Sequence, residues 1–136
     1  MKYSKATNYA LHTMMHMMAA SPDKPIGVQS LSEAQRVSPT YLSKILTKLV
    51  KAGLIESASG ANGGYRLKGR YEDISFLDII HAVEGTASLF DCCGSVNSEC
   101  LIHQEMLSAE AAMEEKLRNT RIIDLAKRLE HSHRHG

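Results

Sequence analysis

The sequence predicts a mostly α-helical chain with one small β-hairpin: a winged helix-turn-helix followed by a long C-terminal dimerisation helix. Three observations predict it. Two short helical stretches lie in succession before Gly53, the second of them capped and basic. A glycine-tipped hairpin pattern follows at once. A long charged stretch over residues 102–118 carries a regular apolar seam.

The first element is a helix over residues 3–20, where Thr7, Leu11, Met14 and Met18 recur at helical spacing beside Ala10 and Met17. Pro22 and Pro25 end it. Gln29 or Ser30 can then cap a helix of about two turns running to Arg36, with Leu31 and Ala34 facing inward. Val37 is the apolar plug of a tight turn.

The next helix has the clearest limits. Ser38 is a good N-cap, and Pro39 occupies the first helical position, where a missing N–H is harmless. Leu42, Ile45, Leu46 and Leu49 form one apolar stripe, and Gly53 is the C-terminal stop. The opposite face carries Thr40, Tyr41, Ser43, Lys44, Thr47, Lys48 and Lys51, with no acidic residue.

Leu54–Ala58 and Gly64–Lys68 read as two short strands around an Asn62-Gly63-Gly64 turn. A further helix starts near Ser75, presents Leu77, Ile80 and Val83, and stops at Gly85. The long helix over 102–118 has a seam of Met106, Ala109, Met113 and Leu117, coiled-coil-like in spacing. Thr120 can cap a short closing helix, and 130–136 reads as a frayed tail that binds no metal. The chain divides at Gly85, with a DNA-binding domain over 1–85 and a sensor loop, dimerisation helix and tail over 86–136. No internal repeat is visible.

Charge points to a partner. Residues 1–70 carry ten Lys and Arg against three Asp and Glu, while residues 71–136 carry six against twelve. A basic first half suits a polyanion. No apolar run approaches the ~20 residues of a membrane span, and no signal peptide opens the chain. The expected setting is the cytoplasm, without a membrane. No motif-supported nucleophile–base pair, phosphate loop or dinucleotide fingerprint is present, so an enzyme is not expected.

Helix, turn, capped basic helix and wing together fit double-stranded DNA. The capped helix enters the major groove, with Ser38, Thr40 and Tyr41 at the end where base contacts are made. Lys44, Lys48 and Lys51 supply salt-dependent affinity for phosphates. The hairpin tip, with Asn62 and the neighbouring Arg66, suits a minor groove.

All three cysteines fall in one stretch, "DCCGSVNSECLIHQE": Cys92, Cys93 and Cys100, with His103 one turn beyond. In a reducing compartment such a cluster binds metal or senses redox state. Thiolates and imidazole suit an iron–sulfur cluster or zinc. A metal-free switch is the rival reading, in which Cys93 and Cys100 close a disulfide or the adjacent Cys92 and Cys93 trap an electrophile.

One pattern is more specific still. "YLxxILxxLxxAGLIxSxxGxxGGYxL", from Tyr41 to Leu67, resembles the recognition helix and wing of the Rrf2 family of bacterial regulators, which includes IscR, NsrR and CymR. "DIIHAVEG" and "TRIIDLA" match as well. The resemblance covers nearly the whole chain. It implies a homodimeric transcription regulator, a repressor on a pseudo-palindromic operator, with the long helix at the dimer interface. Several family members hold an iron–sulfur cluster on this loop. "ECLIH" then makes Cys100 and His103 ligands, and Cys92 or Cys93 the first cysteine of the set. No cysteine stands at the usual middle position. NsrR-like members use an acidic residue where Asn8 stands here, and one branch uses a histidine where His12 stands. The resemblance therefore implies a two-iron, two-sulfur cluster with help from His103 or from His12 of the partner subunit. The sensed quantity would be redox state, nitric oxide or iron–sulfur status. A structural zinc site and a thiol switch without metal stay open beside it.

Overall fold

The computed structural model describes residues 3–20, 23–61, 63–90 and 100–135, with 130–135 described by backbone alone. Six helices and one hairpin make the fold: α1 (Lys5–Ala19), α2 (Val28–Gln35), α3 (Pro39–Lys51), β1 (Ile55–Ala58), β2 (Gly64–Leu67), α4 (Phe76–Glu84), α5 (Leu101–Arg118) and α6 (Ile122–His135), with a 3-10 turn at Tyr71–Asp73. Among the described residues no helix is long and apolar enough to cross a membrane.

The core gathers the inner stripes of these helices. α1 contributes Ala10, Met14, Met17 and Met18, and α3 contributes Leu42, Ile45, Leu46 and Leu49. Leu31, Ile79, Val83, Ile122 and Ala126 complete it from α2, α4 and α6. Thr13 is fully buried on α1, and its hydroxyl accepts a 2.5 Å hydrogen bond from Gln35 Nε2. That bond satisfies two polar groups where an unpaired one would be costly and ties α2 to α1.

α2 departs from expectation. Its N-cap is Gly27, with no side-chain cap, rather than Gln29 or Ser30. The helix therefore begins earlier. Val28, Leu31, Ser32 and Gln35 face inward at helical spacing, and Ala34 is exposed. Ser32 is buried because its hydroxyl donates to the Gln29 carbonyl at 2.9 Å.

α3 starts and stops as read. The Ser38 hydroxyl oxygen accepts the Tyr41 N–H at 3.1 Å, and Pro39 opens the helix. At the other end Gly53 takes φ 79°. Its N–H donates to the Val50 carbonyl at 2.9 Å, and Leu54 N–H donates to Leu49 at 3.1 Å. That pair of bonds is a Schellman stop.

The wing pairs Ile55 with Leu67, Glu56 with Arg66, Ser57 with Tyr65 and Ala58 with Gly64. The connection is longer than an Asn-Gly two-residue turn. It spans residues 59–63, and Gly63 N–H donates to the Gly60 carbonyl at 3.0 Å. Positive φ falls on Gly60 and Gly64, not on Gly63. A third, one-residue strand was not foreseen: Ile26 and Tyr65 exchange both backbone hydrogen bonds, each 2.8 Å. Gly64 makes this possible, because a Cβ there would run into the Ile26 carbonyl.

α4 opens with a reciprocal capping box between Ser75 and Asp78. α6 returns to the rest of the fold through backbone bonds from Phe76 N–H to the Thr120 carbonyl, 2.9 Å, and from Ile122 N–H to Ile74, 3.1 Å. The Thr120 hydroxyl does not point into α6 as a cap; it donates to the Lys116 carbonyl at 2.7 Å. α6 also runs on to His135, through the stretch read as a frayed tail. No proline or glycine interrupts that stretch, so nothing in it stops the helix.

One carboxylate joins the two ends of this assembly. Glu84, the last residue of α4, accepts the Ser4 N–H at 2.7 Å and the Ser4 and Thr7 hydroxyls at 2.6 Å each, all on Oε1. Ser4 is the N-cap of α1 and has no side-chain cap bond of its own, so Glu84 serves the N-terminus of α1 from the far end of α4. The Ser4 and Thr7 hydroxyls, then the Ser4 N–H and Lys48, hold its pKa below the ordinary 4.5 against a smaller opposing effect of burial. A carboxylate with a depressed folded-state pKa stabilises fully above its unfolded value, and that contribution disappears as pH falls through the folded value. Glu84→Gln should therefore lower Tm at neutral pH, modestly because the group is solvent-screened. The difference from wild type should close as pH drops below 4.5. Thermal melts across an acid pH series measure this; a gap independent of pH would contradict it.

Candidate nucleic-acid interface

The outer face of α3 projects from a buried floor. Thr40, Tyr41, Lys44, Thr47, Lys48 and Lys51 are exposed on the side opposite Leu42, Ile45, Leu46 and Leu49. Ser38 stands at the positive end of the helix, where backbone N–H groups are available to an anion. Its oxygen accepts the Tyr41 N–H, which leaves its hydroxyl proton free to donate outward.

Two of these side chains are held by neighbours the sequence did not reveal. The Tyr41 ring is 38% exposed and meets Tyr9 of α1 edge to face, centroids 5.8 Å apart at 84°. Such a pair fixes the ring beyond simple burial. Lys48 Nζ donates to the Val83 carbonyl at the end of α4, a long bond of 3.4 Å, and lies close enough to Glu84 to lower its pKa. Arg66 lies along β2 and pairs with Glu56 across the wing, Nε to Oε1 2.7 Å, both side chains well exposed. Asn62 lies outside the described residues.

The second cluster stands at the opening of α5. Cys100 is its half-buried N-cap residue, and His103 follows one turn later. The His103 ring stacks at a tilt on Phe90, centroids 5.9 Å apart. Its Nδ1 is buried and has no hydrogen-bond partner among the described residues. Cys92 and Cys93 lie outside the described residues. His12 is in a different place. It is exposed on α1 and lines a cavity of about 270 Å³ with Asn8, Leu11, Met15, Phe76, Ile122 and Leu125. Among the described residues no three His, Cys, Asp or Glu side chains come together as a metal site.

α5 itself buries no residue. Met106 and Leu117 are half-buried, and Ala109 and Met113 are exposed. Leu89 and Phe90 lie beside this seam, where they share a cavity of about 180 Å³ with Met106, Ala109 and Met113. Glu110 fastens that approach: its carboxylate accepts the Ser88 hydroxyl at 2.6 Å and the Leu89 N–H at 2.9 Å. The sequence reading missed Leu101 and Ile102, which are 75% and 70% exposed at the start of the helix. They fall outside the heptad seam, the one signal used to read this helix.

The family description "Iron-dependent Transcriptional regulator", Rrf2, matches residues 3–128. The chain belongs to the Rrf2 family. Protein aau3 of Rhizobium meliloti is 33% identical over 134 residues, covering 93% of this chain and 86% of that protein. Among solved structures, CymR (YrzC), the global cysteine regulator of B. subtilis, superposes with a TM-score of 0.81 at 28% identity, over 93% of this chain and 97% of CymR. T. potens IscR gives 0.78 at 29%, over 97% and 90%. This Rrf2 protein is a transcription regulator with a winged helix-turn-helix that binds DNA, and it is not an enzyme. The Rrf2 relationship agrees with the exposed α3 face and the adjacent wing.

The cap of the exposed helix can be tested by itself. Ser38→Ala removes the acceptor for the Tyr41 N–H and should cost about 1 kcal/mol, lowering Tm by a few degrees. Ser38→Asp keeps the acceptor and should melt close to wild type. Equal losses in both variants would show that the cap contributes nothing.

Proposed function

We propose that this chain is a homodimeric repressor that reads a pseudo-palindromic operator with α3 and the wing and senses redox, nitric oxide or iron–sulfur status on its 92–103 loop. The division of the chain at Gly85, with DNA reading before it and sensing and dimerisation after it, is part of the proposal. The observation that carries the sensing part is the buried, unpartnered Nδ1 of His103, one helical turn from Cys100. A buried ring nitrogen without a hydrogen bond is costly, and a metal would satisfy it. One thiol and one imidazole at the same helix end suit a soft-metal site. Cys92 or Cys93, Cys100 and His103, with His12 of the partner subunit, would hold a two-iron, two-sulfur cluster. The cluster would supply a redox-active, oxidant-sensitive centre whose potential imidazole ligation raises. The likeness in fold to the cysteine regulator CymR favours a second reading, in which Cys100 and Cys93 work as a thiol switch without metal.

The state of α5 supports the dimer. An 18-residue helix with no fully buried residue in its own chain is marginal in water by itself. A second α5 laid along Met106, Ala109, Met113 and Leu117 would cover the seam. The 92–103 loop leads into that helix, so its occupant can bias how two DNA-reading halves sit. It does so only through different affinities for two arrangements, and ~1.4 kcal/mol of difference changes DNA affinity tenfold.

For the interface with DNA, Lys44→Ala should weaken binding to a duplex selected from a random pool and to its scrambled version equally, with the salt slope reduced by about one contact per subunit. Tyr41→Ala should hurt the selected duplex more. Wild type that binds both duplexes equally at physiological salt would refute sequence reading. For the dimer, Met113→Lys would bury an unpaired charge in the seam and should sediment as a monomer at concentrations where wild type does not. For the sensor, anaerobic reconstitution should give iron and visible absorption. Cys100→Ala should lose both, and Lys44→Ala should keep them. A colourless wild type whose DNA binding responds to diamide, with the response lost in Cys100→Ala, selects the thiol switch. No colour and no cysteine-dependent response would leave the loop without a sensing role.

A further inference from the structure

Among the described residues Arg36 alone, apart from glycines, has a positive φ. It takes φ 57°, ψ 43° at the C-terminus of α2, the left-handed conformation in which a Cβ is crowded. Glycine is the ordinary occupant of such a helix stop. The backbone explains only the turn. Arg36 N–H donates to the Glu33 carbonyl at 3.3 Å, and Val37 N–H donates to Ser32 at 3.1 Å. Glycine would make both bonds without strain, so the side chain has to account for the arginine. That side chain is exposed and has no ion pair or hydrogen bond among the described residues. Glu33, the nearest acid on α2, is already engaged with Gln29 Nε2 at 3.2 Å.

The turn puts this cation two residues ahead of Ser38, beside the positive end of α3. Arg36 is therefore an exposed cation in the turn that leads directly into the Ser38 cap and the N-terminal N–H groups of α3. We propose that Arg36 contacts a backbone phosphate of the DNA flanking the bases under α3, and that the left-handed turn is retained to carry it there. This rests on α3 being the DNA-reading helix. Arginine suits the role because its planar donor fork can hold a phosphate bidentately. A purely structural reading, in which the charge complements the end of α2, makes the opposite prediction for stability.

The test uses the full chain, a duplex selected from a random pool by wild type, and its scrambled version. Affinity is measured over a salt series and Tm alongside it. Arg36→Gly should weaken binding to both duplexes by a similar factor, roughly three- to tenfold, and flatten the salt slope by about one contact per subunit. Its Tm should equal or exceed that of wild type, because glycine relieves the turn. Arg36→Lys should keep the slope. Unchanged affinity and slope in Arg36→Gly would overturn the proposal, as would a lowered Tm with unchanged slope. Lys44→Ala, run in parallel, separates the two levels. If Lys44→Ala flattens the slope and Arg36→Gly does not, the Arg36 contact alone fails. If neither does, the placement of α3 on DNA fails with it.

Discussion

The amphipathy of α3 is the constraint around which this protein is built. One face of α3 is left exposed, so the helix is held chiefly by the other. Leu42, Ile45, Leu46 and Leu49 are almost fully buried, and α1, α2 and α4 supply the surface they bury against. Each such side chain contributes about 1.5–3 kcal/mol when removed from water. The stripe can therefore hold the helix while its outer side makes only peripheral contacts, Tyr41 with Tyr9 and Lys48 with Val83. The capping hydroxyl of Ser38 and the Schellman stop at Gly53 limit its length. Together these leave a short, stiff rod whose exposed face carries hydroxyls and lysines only.

The polar joints keep that rod in register with the rest. Glu84 collects three donors from the start of α1, and Lys48 reaches the neighbouring Val83 carbonyl from α3. Three helices thus meet at the last turn of α4, directly before the segment that leads towards the cysteines. Glu110 holds that segment at Ser88 and Leu89 against α5. Both joints rely on carboxylates that accept several hydrogen bonds, the charge-assisted kind that exceeds a neutral pair in strength.

What the sequence made legible follows from how local each signal is. α3 was readable because its cap, its proline, its stripe and its glycine all lie within sixteen residues and agree. α4 was readable for the same reason through Ser75 and Gly85. α2 was misread because Gly27 gives no side-chain cap signal, and the shifted start moves Ala34 outward and Ser32 inward. The strand at Ile26 is one residue long and has no period to detect. Glu84 capping α1 joins residues 80 apart, and the left-handed Arg36 has no sequence mark at all. At the site, the exposure of Thr40, Tyr41 and Lys44 and the place of His103 beside Cys100 were legible from helical spacing. The Tyr9 and Phe90 rings that pack on Tyr41 and His103 come from other elements and were not.

The contact between Gly64 and Ile26 gives the wing a mechanical character. Its tip, Ser59 to Ala61, is exposed, and Tyr65, one pair in from the tip, is joined by two backbone bonds to the short link between α1 and α2. The hairpin is thus tied at both ends, at its root by its continuity with α3 and near its tip by that link. Any displacement of that link would therefore be handed directly to the outer end of the wing, without passing through α3.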